Sequence, residues 1–207
     1  MKMALVTGAA GGIGQAVVGE LSSHFTVVAH THAQGDLSDP AIVEALFAAS
    51  PFQIVVCCAG GHGEPHAAST CGIDELQVEL KKNLYTAMLC CREMLKYKPA
   101  QGRIVTIGSY SGAFGNKNAA YSIAKAALHE YTRCLASDLC GTGITANCVA
   151  PGNTDTPRVK MLYGNEYAPA GRANDIAAVV GFLCSPSAGH INGQVIRVDG
   201  GKHTFPL

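Results

Sequence analysis

Tyr121 and Lys125 stand four residues apart in Ala119-Ala-Tyr-Ser-Ile-Ala-Lys125, and Ser109 precedes the tyrosine by twelve. Residues four apart on a helix share a face, which would bring a phenol and an ammonium together. A phenol with a pKa near ~10 transfers protons poorly at neutral pH. A neighbouring ammonium favours the phenolate and lowers that value, making Tyr121 an acid–base group. The Ser109 hydroxyl could hold the carbonyl or hydroxyl oxygen of a substrate. Alone, Y-x-x-x-K is usually a solvated helix face; its weight here comes from a second feature.

That feature is Thr7-Gly-Ala-Ala-Gly-Gly-Ile-Gly14, set between an apolar strand and a helical pattern. Gly8, Gly12 and Gly14 fall where a chain turns sharply and where backbone N–H groups would face a pyrophosphate at a helix N-terminus. The chain has 24 glycines in 207 residues, and this turn gives the excess a purpose: dinucleotide binding. In such folds an acidic residue ending the second strand holds the ribose 2′-OH and selects NAD. Here that strand runs into Ala29-His-Thr-His-Ala-Gln-Gly35, with no carboxylate before Asp36. His30, Thr31 and His32 could donate to a 2′-phosphate, although no Arg or Lys accompanies them. NADP(H) is therefore expected over NAD(H). His62-Gly-Glu-Pro-His66 has the look of a metal pair, but Gly63 and Pro65 forbid the helix that would align it. No metal site is expected; the segment reads as a substrate-lining loop whose histidine meets a polar or anionic substrate.

Short apolar runs at 3–6, 26–30, 53–58, 103–108, 144–150 and 195–198 read as strands. Helical periods at 15–21, 73–97, 121–139 and 175–184 alternate with them, and Asp39-Pro40 marks a further helix start as N-cap and first helical residue. Alternating strand and helix predicts an α/β fold: one doubly wound, Rossmann-like domain over 1–207 with a parallel sheet covered on both faces. Residues 32–35 are too few to hold a crossover helix and another strand, which needs ~10–12 residues, so about six strands are expected.

Fifteen basic residues against fifteen acidic ones, no Trp and 6% aromatics argue against a nucleic-acid partner. No apolar stretch reaches the ~20 residues of a membrane span, and the N-terminus runs into glycines too soon for a signal peptide. Nine cysteines, an odd number with two adjacent pairs and no C-x-x-C, read as reduced core thiols of a cytoplasmic protein.

With these motifs in hand, the chain resembles the short-chain dehydrogenase/reductase family over essentially its whole length. The matching segments are TGAAGGIG, CCAG where the family often has NNAG, Asn83, IVTIGS, YSIAK, NCVAPGNTDTP and the closing GRANDIAAVVGFLCSPSAGHINGQVIRVDGG. Residues 102–152 are nearest in tone to the 3-oxoacyl-carrier-protein reductase branch. The resemblance implies hydride transfer between a nicotinamide and a carbonyl or secondary alcohol, with Tyr121 as general acid/base. Ser109 would orient the substrate oxygen, Lys125 would bind the nicotinamide ribose and lower the Tyr121 pKa, and Asn83 would hold a relay water. Gly8, Gly12, Ile13 and Gly14 would cradle the pyrophosphate. Asp36 and Leu37 would meet the adenine, Cys58, Ala59 and Gly60 would lie along the cofactor, and Pro151, Gly152, Asn153 and Thr154 would close over the nicotinamide. Ser111 competes with Ser109, but the latter's spacing to Tyr121 fits the family better.

In family terms the sheet would run 2-1-4-5-6-7, with the usual third strand and its preceding helix reduced or missing. A short lid at 153–170, carrying Met161, Tyr163 and Tyr167, would cover the substrate. Helices 73–97 and 121–139, apolar over more than one face, suit a homodimer or homotetramer. Two rival functions fit the same fold: a non-catalytic NADP-sensing or scaffold protein, and an epimerase or dehydratase using the nicotinamide transiently. The substrate and the direction of reaction stay open at this point.

Overall fold

The computed structural model describes residues 1–163 and 171–201. Strands β1 (Met3–Thr7), β2 (Thr26–His30), β3 (Ile54–Cys57), β4 (Gly102–Ile107), β5 (Ile144–Pro151) and β8 (Val195–Val198) form one sheet. Its order is β2-β1-β3-β4-β5-β8, and every pairing is parallel. Two two-residue strands, β6 (Thr154–Asp155) and β7 (Gly171–Arg172), pair apart from it. This is the expected six-strand α/β sheet, and the reversal between β1 and β3 opens the crevice where such sheets bind ligands.

Both faces of the sheet are covered because alternate strand residues point opposite ways. Leu5, Val55 and Ile104 pack on one side with Phe47 of α2 (Pro40–Ala48), Met94 of α4 (Thr86–Lys96) and Leu128 of α6 (Ala119–Asp138). Their neighbours Val6, Val56 and Val105 pack on the other with Leu21 of α1 (Gly12–Ser22) and Leu183 of α8 (Ala173–Cys184). The short connection after β2 is a single 3₁₀ turn, His32–Gln34, closed by reciprocal bonds between Thr31 and Gln34. From it the chain enters α2, where Asp39 accepts from the Ala41 N–H and Pro40 takes the first helical place.

The helix expected at 73–97 is not uniform. It runs as α3 (Ile73–Leu80), a π turn over Lys81–Tyr85, and then α4. Side chains have taken helix carbonyls: Asn83 Nδ2 donates to Glu79 O at 3.0 Å, and Thr86 Oγ1 to Lys82 O at 3.0 Å. Groups inserted into the ladder widen a helix locally, and π turns of this kind gather at functional sites.

Five cysteines are buried and two half-buried, as core thiols would be, whereas Cys134 and Cys140 are exposed; all are free. Replacing NNAG by CCAG leaves the β1–β3 ends tied by Thr7, whose hydroxyl accepts from the Ala59 N–H at 3.0 Å. Among the described residues, no helix is long and apolar enough to cross a membrane.

Candidate active site

The C-terminal ends of β1, β3, β4 and β5 border a cleft of about 690 Å³. Every residue expected at a cofactor lines it: the Gly8–Gly14 turn, His30 to His32, Asp36 and Leu37, Cys58 to Gly60, and Pro151 to Thr154. Ser109, Tyr121 and Lys125 line its other half.

The glycine turn is built for a ligand rather than for a side chain. Gly8 sits at φ +62°, and a Cβ on Gly14 would run into the Gly8 carbonyl. A Cβ on Gly12 would meet Thr156 Cγ2 at 2.9 Å. The α1 N-cap is Gly11, with no side-chain cap and no acid in the first turn, so its N–H groups have no carboxylate competing for them. Such a terminus suits a pyrophosphate. At the far end His30 is buried and its pKa lowered, first by burial and then by the nearby His32. Asp36 turns back on Ser38, accepting its N–H at 2.9 Å, and its pKa is lowered chiefly by that bond. No Arg or Lys is among the described lining residues at this end.

In the other half, Asn118 starts α6 by accepting from the Tyr121 N–H at 3.2 Å. Tyr121 thus lies in the first turn, with Ser109 near its phenol. Burial raises the Tyr121 pKa to about 12, with Ser109 and Arg158 pulling the other way. Lys125 donates to Ile107 O at 2.7 Å and lies 5.8 Å from the Tyr121 ring centroid. Burial lowers its own pKa to about 8. Burial is the largest influence on the phenol, and the Lys125 ammonium is tied to the β4 carbonyl. Ser111, the rival serine, accepts from Asn116 Nδ2 at 2.8 Å, and its N–H donates to Ser109 Oγ at 3.2 Å.

Asn83 stands behind the cleft wall rather than on it. Its Oδ1 accepts from the Gly61 N–H at 2.9 Å, and its Nδ2 donates to Glu79 Oε2 at 2.8 Å and Gly61 O at 3.2 Å. The amide holds the loop that carries His62. Buried Glu79 pins the same loop by accepting from the Gly63 N–H at 2.9 Å. The His62 ring meets Tyr121 edge-on, with centroids 5.4 Å apart. Among the described residues, no cluster of three metal-ligating side chains occurs. Of the expected lid, Tyr167 and the side chain of Tyr163 lie outside the described residues, and Met161 is exposed on α7 (Pro157–Tyr163).

Several residues at the site were not anticipated. Thr156 packs over Gly12, and Glu79 and Asn118 are described above. His129, one turn beyond Lys125, accepts from the Ser109 N–H at 3.4 Å and so positions the serine backbone. Its spacing extends the Tyr121–Lys125 face by another four residues, a signal present in the sequence. His129 is 3% exposed, and burial, aided by the Lys125 and Arg133 charges, lowers its pKa to about 4. A histidine depressed in the folded state is neutral there while the unfolded chain protonates near ~6.5. Its contribution is intact above that pH and is lost as pH falls toward about 4, costing about 3 kcal/mol. Urea unfolding at neutral pH and near the folded-state pKa should show this loss, and His129→Gln should have a shallower acid slope.

Over residues 12–203 the chain matches the family model described as enoyl-(acyl carrier protein) reductase. The 3-oxoacyl-[acyl-carrier-protein] reductase FabG of Vibrio cholerae is 31% identical over 244 aligned positions, covering 98% of this chain and 97% of that protein. FabG of Escherichia coli K12 is 30% identical, covering 98% and 97%. Those alignments are longer than this chain, so the relatives carry internal stretches that it lacks. An oxidoreductase of the short-chain dehydrogenase/reductase family from Burkholderia thailandensis superposes with a TM-score of 0.87 at 27% identity, covering 97% of this chain and 92% of that one. A structure from Beutenbergia cavernae, with NADP bound at low occupancy, gives 0.84 at 27% identity, covering 97% and 96%.

Proposed function

The chain belongs to the short-chain dehydrogenase/reductase family, and from that premise we propose that it is an NADP(H)-preferring oxidoreductase interconverting a carbonyl and a secondary alcohol. The observation that carries this reading is that Ser109, Tyr121 and Lys125, whose Nζ lies 5.8 Å from the Tyr121 ring centroid, line the same cleft as the uncapped glycine turn. A bound nicotinamide would supply the hydride in reduction, or accept it in oxidation, at the carbon bearing oxygen. Gly8, Gly12, Ile13 and Gly14 would hold its pyrophosphate and Pro151 to Thr154 its nicotinamide end, with His30, Thr31 and His32 toward the 2′-phosphate.

In the reductive direction Tyr121 donates the proton to the substrate oxygen. Its pKa of about 12 keeps the phenol protonated at neutral pH but makes it a weaker acid, so release of the proton depends on nearby positive charge stabilising the phenolate. The Ser109 hydroxyl donates a hydrogen bond to that oxygen and fixes its position. Lys125, with a pKa of about 8, is mainly an ammonium at neutral pH and stabilises the phenolate as the proton leaves. Glu79 and Asn83 keep the His62 loop against Tyr121. The protein would work in the reducing cytoplasm, as its free thiols suggest. Exposed Ile73, Val78 and Met88 on α3 and α4, with Ile123 on α6, support a homodimer or homotetramer.

The 2′-phosphate preference rests on the missing carboxylate after β2. Fluorescence titration should find NADPH bound tighter than NADH by about tenfold, a modest factor because imidazoles stand where no guanidinium is present. Tighter binding of NADH would overturn the preference.

A further inference from the structure

Two cations lining the substrate half of the cleft have no carboxylate within ion-pair distance among the described residues: Lys125, which is held on the Ile107 carbonyl, and Arg158. Arg158, on α7, lays its guanidinium over the Gly61 backbone: a Cβ there would meet Nε at 3.3 Å and Cζ at 3.4 Å. One guanidinium nitrogen donates to the His62 carbonyl. Other cations nearby are neutralised: Lys82 pairs with Glu79 at 2.6 Å, and Lys160 with Asp155 at 2.9 Å. Among the described residues, no carboxylate lies within ion-pair distance of Arg158. Asp36 is the one acid among the described lining residues, and it sits at the opposite end on Ser38 and Lys81.

A second donor is unused in the same wall. Asn118 is 6% exposed and lines the cleft, and its Oδ1 is committed to the Tyr121 N–H. Among the described residues its Nδ2 has no partner. A buried amide nitrogen left without an acceptor costs free energy that a ligand oxygen would recover. Arg158 also bears on the reacting end, because its charge is felt by the Tyr121 phenol.

We propose that the substrate carries a carboxylate remote from its reacting carbonyl, bound by Arg158, with Asn118 Nδ2 donating to a substrate oxygen. Lys125 is held on the Ile107 carbonyl beside Tyr121, so a charged group remote from the reacting carbon meets Arg158, whose planar fork matches a carboxylate. A planar guanidinium with one nitrogen held on His62 still offers further N–H donors to a carboxylate. This inference rests on the oxidoreductase reading for its reaction, although not for its binding.

The test uses the full-length protein, NADPH, and a series of 2-oxo to 5-oxo acids beside their methyl esters. The wild type should favour at least one acid over its ester in kcat/KM by roughly tenfold to a hundredfold, the range of a charge-assisted hydrogen bond. In Arg158→Met that ratio should fall to about one, mainly through a higher KM for the acid, and Arg158→Lys should restore part of it. Equal use of acids and esters by the wild type overturns the inference. So does an Arg158→Met loss that tracks weakened NADPH binding, since the arginine would then serve the cofactor. Calorimetry with the saturated acids, which cannot be reduced, separates the two readings. If no carbonyl is reduced while those acids bind in an Arg158-dependent way, the oxidoreductase reading fails and the carboxylate site stands. No binding in either form removes the site.

Discussion

Tyr121→Phe should reduce kcat for carbonyl reduction by about a thousandfold, within the range of roughly 10²–10⁴ for loss of a positioned general acid. Only the phenol oxygen disappears. The ring keeps its edge-on contact with His62 at 5.4 Å, and the Tyr121 N–H keeps its bond to Asn118. Cofactor affinity and folding cooperativity should therefore change little, and kcat should fall with kcat/KM. The oxygen removed is the proton donor, and nothing in phenylalanine replaces it. NADPH consumption by the variant, beside a thermal melt, reads both halves of the expectation. Turnover close to that of the wild type would remove Tyr121 from the chemistry.

Gly8→Ala should disable cofactor binding and destabilise the fold together. At φ +62° an L-residue pays about 1–2 kcal/mol for the left-handed backbone. The new Cβ would stand 2.7 Å from Ala59 N and Cα and 2.8 Å from the Cys58 carbonyl carbon. These are backbone atoms that cannot swing aside, so overpacking adds about 1–3 kcal/mol. Relief means parting β1 from the Ala59 N–H that Thr7 now holds, at the base of the cleft. A loss of about 2–5 kcal/mol should lower Tm by roughly 5–15 °C in a chain of this size. Gly141→Ala is the control: its φ is +78°, but no heavy atom lies within 4 Å of its Cβ position. It carries the backbone strain without the collision and should bind NADPH as the wild type does. Equal losses in the two variants would mean that the close approach at Gly8 has no consequence.

Local chemistry was legible from sequence wherever a few adjacent residues decide it. Asp39 and Pro40 announce α2 at its first residue, and β2 and β8 occupy the runs 26–30 and 195–198. The brevity of 32–35 carried the six-strand sheet, because no crossover fits there. Features set by distant groups were hidden. The π turn depends on Asn83 meeting Gly61, which lies 22 residues away and approaches only when β3 is in place. Helical spacing brings Lys125 beside Tyr121, but the Ile107 carbonyl that captures its ammonium comes from β4. Whether burial or charge governs the Tyr121 phenol is likewise a property of the packed cleft. Arg158 carries no signal in the sequence, because its place over Gly61, beside the paired cations Lys82 and Lys160, is set by the fold.

The most direct measurement follows a deuterium label from NADPH, deuterated at nicotinamide C4 on either face, into an oxo acid reduced by the wild-type protein. Mass spectrometry of the alcohol should show one deuterium on the carbinol carbon from one of the two labelled cofactors, with none lost to water and no such product from Tyr121→Phe at the same exposure. Alcohol formed without label from either cofactor, or label found in the solvent alone, would contradict hydride transfer at this site.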